Sequence, residues 1–256
     1  MNNECRNGIG SEIALTKIVV KKFFRVSIIN FLQWCLNGVR KRILREPSAR
    51  SWSNIILKKY LKYFSGDIIY VSGWEDADKE GGFYRDYYAS FTRYVVSNID
   101  GTSGMSEKVP EEIESIYLDL GKPIKPDLHK KFDVVFTHTV LEHIYKTEQA
   151  LQNIVDMSRD MVVTVVPFSQ GVHYTDFFSD YIRLTPFYLK KFFKERGFTV
   201  LLSSANQGSY TSIYLVFIAS LQPEKYKNFF KNAPIFYDLC VQPGRWGKSP
   251  RQCTKK

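Results

Sequence analysis

FDVVFTHTVLEHI, residues 132–144, begins as an apolar run and closes with a glutamate between a leucine and a histidine. Consecutive apolar, β-branched and aromatic residues over strand length suit a central strand whose sheet is covered on both faces. The stretch therefore reads as a buried strand, DVVFT at 133–137, that ends at His138 and turns at LEHI into the next helix. Its two histidines and glutamate also invite a metal reading. The spacing, however, is H-x-x-x-E-H, neither H-E-x-x-H nor H-x-x-E-H, and a strand-to-helix break separates the histidines. No metal is expected.

Similar runs lie on either side: IIYVS at 68–72, YVVSN at 94–98, SIYLD at 115–119 and MVVTVV at 161–166. Between and after them come helical patterns. KTEQALQNIVDMS places Ala150, Leu151, Ile154, Val155 and Met157 on one stripe. TPFYLKKFFKERGF opens with Thr185 as a good N-cap and Pro186 in the first turn, and closes at Gly197, suited to the C-terminal cap. FTVLLSS and SIYLVFIAS are joined only by ANQGSY, too short for a crossover helix, so they should form an antiparallel hairpin. A parallel α/β sheet with one reversed strand at its end follows.

The net charge of +10 is unevenly spread: residues 1–12 carry −1, residues 13–45 carry +8, residues 46–222 carry −3 and residues 223–256 carry +6. A nucleic-acid enzyme usually needs a positive track beside its site. With a mildly acidic body, nucleic acid is not the expected partner. Cys5, Cys35, Cys240 and Cys253 form no C-x-x-C pair, which speaks against a zinc knuckle or a disulfide framework and for a reducing cytoplasm.

Near the N-terminus, Ile28, Phe31, Leu32, Cys35 and Val39 share a helical face between Lys21, Lys22 and Arg25 on one side and Arg40, Lys41, Arg42 and Arg45 on the other. This basic amphipathic pattern fits a helix packed on the domain, or one attached to an anionic membrane surface through residues 13–45, at the inner face of a membrane. The uncharged stretch from Val26 to Val39 contains Ser27, Asn30, Gln33 and Asn37 and is too short and polar for a spanning helix. A signal peptide is not expected, because no small-residue cleavage pattern closes the stretch before RKRILRE. The expected organisation is a helical extension over 1–65, a sheet domain over 66–222 and a basic tail over 223–256.

FDVVFTHTVLEHI, the strand ending VVPF and the segment DYIRLTPFYLKKFFKERGF together resemble the class I S-adenosylmethionine-dependent methyltransferases. The likeness covers roughly 66–220 and is greatest to the branch with F-D-x-V in the fourth strand and L-E-H in the following turn, which acts on small molecules, quinone precursors, lipids and sugars. It implies a Rossmann-like three-layer sandwich, with a mostly parallel seven-stranded sheet, an antiparallel last strand and the cofactor S-adenosyl-L-methionine at the strands' carboxyl ends.

Family members carry a Gly-x-Gly-x-Gly turn after the first strand, whereas here the strand runs into VSGWEDADKEGGFY and only Gly73 falls at a family glycine. Glu75, Asp76 or Asp78 could face the charges of the methyl donor, or these acids could be solvated loop charges with Lys79 pairing one of them. The resemblance places Asp100 at the ribose hydroxyls and Asp119 at the adenine amino group, the alternative for each being an aspartate that caps its loop, and sets His138 facing the cofactor cleft. His143 and His173 become candidates for the base that takes a hydroxyl proton. For His143, hydrogen bonding to backbone at a helix start is an equal alternative. Tyr174, Asp180, Tyr181 and Arg183, in the loop after the fifth strand, could line the acceptor pocket.

The resulting expectation is transfer of a methyl group to an oxygen of a small or glycan-linked acceptor, in the cytoplasm. The competing reading is a non-catalytic methyltransferase-like binding or scaffold module, favoured by the missing glycine turn. A nicotinamide-binding dehydrogenase is disfavoured by the absence of Gly-x-Gly-x-x-Gly after the first strand. Some quinone-pathway relatives hold a divalent metal with Glu-x-x-Glu-His, but Thr139 stands at the first of those glutamates.

Overall fold

The strands β1 (Asp67–Val71), β2 (Arg93–Asn98), β3 (Glu114–Tyr117), β4 (Phe132–His138), β5 (Ser158–Ser169), β6 (Thr199–Ala205) and β7 (Ile213–Ser220) form one sheet in the order β3-β2-β1-β4-β5-β7-β6. The first five pair in parallel, and β7 runs antiparallel to both β5 and β6. The reversed strand and its hairpin are as expected from the short 206–212 connection. The computed structural model describes residues 47–99, 113–176, 178–206 and 212–235, with Ser27, Ile28, Phe31, Leu32, Cys35, Leu36 and Val39. Asp100 lies outside the described residues, as does most of the 13–45 segment.

Side-chain alternation divides the core between the two faces of the sheet. Ile68 and Tyr70 of β1, Val134 and Phe136 of β4 and Val163 of β5 pack with α1 (Ala49–Leu61) and with α4 (Pro223–Phe230). Their neighbours Ile69, Val71, Val135 and Val162 point the other way, onto α2 (Thr147–Met157) and α3 (Pro186–Glu195). Three layers result, with nearly continuous apolar strands between two helical covers. At the ends of α3, Thr185 accepts a hydrogen bond from the Tyr188 N–H, and Gly197 takes φ +80° just past the last turn.

Two boundaries differ from the sequence expectation. The chain divides at Glu46/Pro47, so α1 belongs with the sheet and not with an N-terminal extension. Its Tyr60 stacks on Phe230 of α4 at 4.8 Å and its follower Phe64 meets Tyr226 edge-on at 5.4 Å, which brings the start of the expected tail into the same unit. LEHI also does not begin a helix: Leu141–His143 is a single 3-10 turn, and α2 starts at Thr147. The physical reason lies at Thr139, whose left-handed φ of 51° and N–H bond to the Val165 carbonyl hold the chain to β5 beyond the end of β4.

Within Met1–Glu46 the described residues are helical, and Ile28, Phe31, Leu32, Leu36 and Val39 are exposed. Among the described residues no helix is long and apolar enough to cross a membrane.

Candidate functional site

Strand order reverses between β1 and β4, and an open α/β sheet leaves a crevice at the carboxyl ends of the strands beside such a point. A cleft of about 990 Å³ opens there, walled by the loop after β1, the ends of β2 to β4 and the 170–181 loop.

The loop after β1 is built against its local preferences. Ser72, Trp74, Asp76 and Lys79 have φ of 52°, 54°, 62° and 61°, left-handed backbone that non-glycine residues adopt at a cost. Gly73 is required for a different reason: a Cβ there would sit 2.3 Å from the Tyr70 ring. Side chains from β2 and from the 3-10 turn before it, Tyr84–Tyr87, hold this path. Asn98 accepts from the Trp74 N–H at 2.9 Å and donates to the Trp74 carbonyl at 3.3 Å, while the Gly73 N–H reaches the Ser97 carbonyl. Asp76 accepts from the Tyr94 hydroxyl at 2.7 Å and from the Arg85 N–H; Asp78 accepts from the Tyr87 hydroxyl and from the N–H groups of Glu80 and Gly82.

Asp76 and Asp78 are therefore neither solvated nor turned to the cleft: both are buried loop braces. Burial pushes the Asp76 carboxyl up to about 7. Lys79 stands 5.4 Å over the Trp74 ring and lines the cleft with Glu75; Asp78's cationic neighbour is Lys58, at 3.9 Å. Burial, and then the Arg50 charge, lower the Lys79 pKa.

At the third strand's end, Asp119 lines the cleft with Ile99, Leu118 and Leu120. Its carboxylate accepts from the Gly121 N–H at 2.9 Å and pairs with exposed Lys122 at 3.0 Å.

His138 walls the cleft, but its nitrogens are engaged. The Ser53 hydroxyl donates to the Arg50 carbonyl, so the 3.0 Å contact from His138 Nε2 must be an N–H donated to Ser53. The other nitrogen, Nδ1, then faces Arg50 Nη1 at 3.3 Å as an acceptor. Burial holds the ring neutral, well below its ordinary pKa. Arg50 also donates to Tyr84 and Thr139, tying the first turn of α1 to the end of β4.

The opposite wall joins the 3-10 turn to the 170–181 loop. His143 Nδ1 lies 2.8 Å from the Ser179 carbonyl, which can only accept, so Nδ1 carries the proton and Nε2 a lone pair. That lone pair faces Glu142 Oε1 at 3.6 Å. Glu142 is 2% exposed and neither carboxylate oxygen has a side-chain hydrogen-bond partner among the described residues; burial pushes its carboxyl up to about 7. Burial lowers His143. The His173 ring meets that of His143 edge-on at 4.8 Å, and its Nδ1 lies 3.1 Å from Asp180 Oδ2. Donor atoms of Glu142, His143 and His173 fall within 4.8 Å of one another.

Of the residues singled out in the sequence, Gly73, Asp119, His138, His143, His173 and Tyr181 line the cleft. Tyr174 is exposed away from that lining. Asp180 and Arg183 form a close ion pair that braces the loop, and this pairing holds Asp180 well below the usual carboxylate range. Arg50, Trp74, Lys79, Asn98 and Gln170 are cleft residues that the sequence reading did not select. The polar end of YVVSN pointed to Asn98, whereas Arg50 reaches the cleft from a helix that sequence grouped elsewhere.

No protein-family model matches the chain, and no curated protein matches it by sequence. Its structure is similar to that of a chain in the complex between the Haloferax volcanii Trm112 methyltransferase activator and a candidate methyltransferase, with TM-score 0.50, 10% identity and coverage of 75% of this chain and 95% of that one. The chain has a Rossmann-like methyltransferase fold. A similar structure is the Burkholderia thailandensis 1,6-didemethyltoxoflavin-N1-methyltransferase, solved with 1,6-didemethyltoxoflavin and S-adenosylhomocysteine (TM-score 0.48, 15% identity, 78% of this chain and 89% of that one). Another is an S-adenosylmethionine-dependent methyltransferase from Mesorhizobium loti (TM-score 0.48, 11% identity, 67% and 98%).

Proposed function

We propose that the chain is an S-adenosylmethionine-dependent methyltransferase that methylates an oxygen of a small or glycan-linked acceptor. The observation that carries the reading is the cleft itself, with a bent, braced backbone at 72–74 and Asp119 on one wall and Glu142, His143 and His173 on the other. The residues fit the cofactor. Ile99, Leu118 and Leu120 offer an apolar slot for a flat ring, and Asp119 a carboxylate for an amino group at its edge. Ser72 and Trp74 adopt the left-handed backbone that glycine adopts most readily, so the turn bends without the family's glycines. This weakens the alternative of a non-catalytic module.

When bound, the cofactor supplies an electrophilic methyl group on sulfur, which an acceptor oxygen attacks as the carbon–sulfur bond breaks. The chain's part is to align that oxygen and to remove its proton. His143, which lines the cleft with Nε2 unprotonated, is the acceptor for the proton, with Glu142 3.6 Å from that nitrogen and His173 beside the ring. Tyr181 and Gln170, on the same wall, suit a hydroxylated acceptor. We also assign residues 13–45 a peripheral contact with an anionic membrane face, which would bring the site to carrier-linked glycans.

Titration calorimetry of the full chain with S-adenosylhomocysteine tests the reading. Saturable binding that Asp119→Ala weakens is expected, and no binding by well-folded protein would overturn it.

A further inference from the structure

We infer that Glu142, His143 and His173 form a binding site for a first-row divalent cation of the zinc type. The sequence spacing argued against a metal because Glu142 and His143 are adjacent and His173 is distant; the fold brings all three to one wall of the cleft.

The argument begins with an unmet electrostatic demand. Glu142 is 2% exposed and its two oxygens, which only accept when ionised, meet no side-chain donor among the described residues. Its nearest basic group, His143 Nε2, is itself a lone pair because the ring's proton is held at Ser179. Arg183, the neighbouring guanidinium, is already paired with Asp180. With Glu142 ionised, two electron-pair donors thus face each other across 3.6 Å.

A cation meets that demand. Ligands about 2.1 Å from zinc at a tetrahedral angle lie roughly 3.4 Å apart, close to the observed Glu142–His143 separation. The third ligand atom, on the half-exposed His173 side chain, lies within 4.8 Å of the other two and would close on the cation by a turn of that side chain. Two imidazoles and one carboxylate favour zinc, cobalt or iron over magnesium or calcium, and leave a coordination position open to the cleft. A backing group is also present: the Ser179 carbonyl fixes the His143 tautomer, while Asp180 holds the His173 backbone N–H at 3.0 Å.

The cation's use rests on the proposed function, although its binding does not. A hydroxyl bound at the open position would lose its proton to water more readily, leaving the oxygen's electron pair for the methyl carbon. With the cation bound, His143 and His173 act through it and not as bases.

The test uses the full chain after dialysis against chelator. Cobalt(II) absorption is followed at neutral pH and zinc uptake is measured by calorimetry, for wild type and for His173→Ala and Glu142→Gln, each checked by circular dichroism. One equivalent with the d–d bands of nitrogen and oxygen ligands is expected, weakened at least about tenfold in folded variants. Absence of cobalt and zinc binding, thiolate charge-transfer bands, or equal binding by the folded variants would overturn the site. S-Adenosylhomocysteine binding is measured on the same samples. Cobalt uptake without nucleoside binding would leave the cation site standing and remove the methyltransferase reading; the reverse would remove only the cation.

Discussion

At the scale of single residues, two positions in the loop after β1 have consequences that can be measured. Gly73→Ala would place a methyl group 2.3 Å from a ring wedged between Phe136 and Tyr84, at centroid distances of 4.6 and 5.2 Å. The ring cannot yield, so the loop must. Urea denaturation should show a loss of about 1–3 kcal/mol, and calorimetry a weakened affinity for S-adenosylhomocysteine. Asp76 gives a pH dependence. Its folded pKa of about 7 lies above the unfolded value, so its stabilising contribution is complete below the unfolded pKa and is lost as pH rises through the folded one. From this group alone, stability should fall by about 1.4 kcal/mol per pH unit between roughly pH 4 and 7. Asp76→Asn should flatten that slope in melts taken across the range. Gly73 was legible as a lone glycine after a strand, His138 and Asp119 as polar residues at strand ends, and His143 as a histidine in the turn that follows the fourth strand. Arg50 and the buried role of Asp76 were not, because burial depends on partners such as Tyr94 and Thr139 that are distant in sequence.

At the scale of elements, runs of β-branched and aromatic residues located the central strands, since a strand covered on both faces records its burial in consecutive positions; edge strand β3 is largely exposed and carries that record only weakly. Short amphipathic segments record only that one face is buried, not what covers it. For that reason α1 and α4 read as parts of an extension and a tail, yet they pack on each other and on the sheet through Tyr60, Phe64, Tyr226 and Phe230. The difference can be measured. Phe230 is 7% exposed, and Phe230→Ala should cost about 3–5 kcal/mol in urea denaturation, the range for a large aromatic removed from a core. A change at a surface tail would cost almost nothing. The 3-10 turn at Leu141–His143 was hidden for a related reason: Thr139 holds left-handed backbone because β5 takes its N–H, a pairing that no local pattern reveals.

At the scale of the molecule, the lining of the cleft runs from Arg50 to Tyr214, inside the unit Pro47–Lys256, while the net positive charge lies at the two ends of the chain. Cofactor binding and surface attachment should therefore separate. A chain beginning at Pro47 should bind S-adenosylhomocysteine as the full chain does. If residues 13–45 hold the protein to anionic lipid, the full chain should co-sediment with phosphatidylserine vesicles and the shortened one should not. Attraction of the eight cationic side chains in that segment would be worth about 1 kcal/mol for each one near the surface, and salt screens it over a Debye length of about 10 Å at 0.1 M. The exposed apolar residues Ile28, Phe31, Leu32, Leu36 and Val39 would add a contribution that salt does not weaken. Raising the salt should therefore reduce vesicle binding without abolishing it. Complete loss at high salt would point to charge alone, and sedimentation of the shortened chain would remove residues 13–45 from the contact.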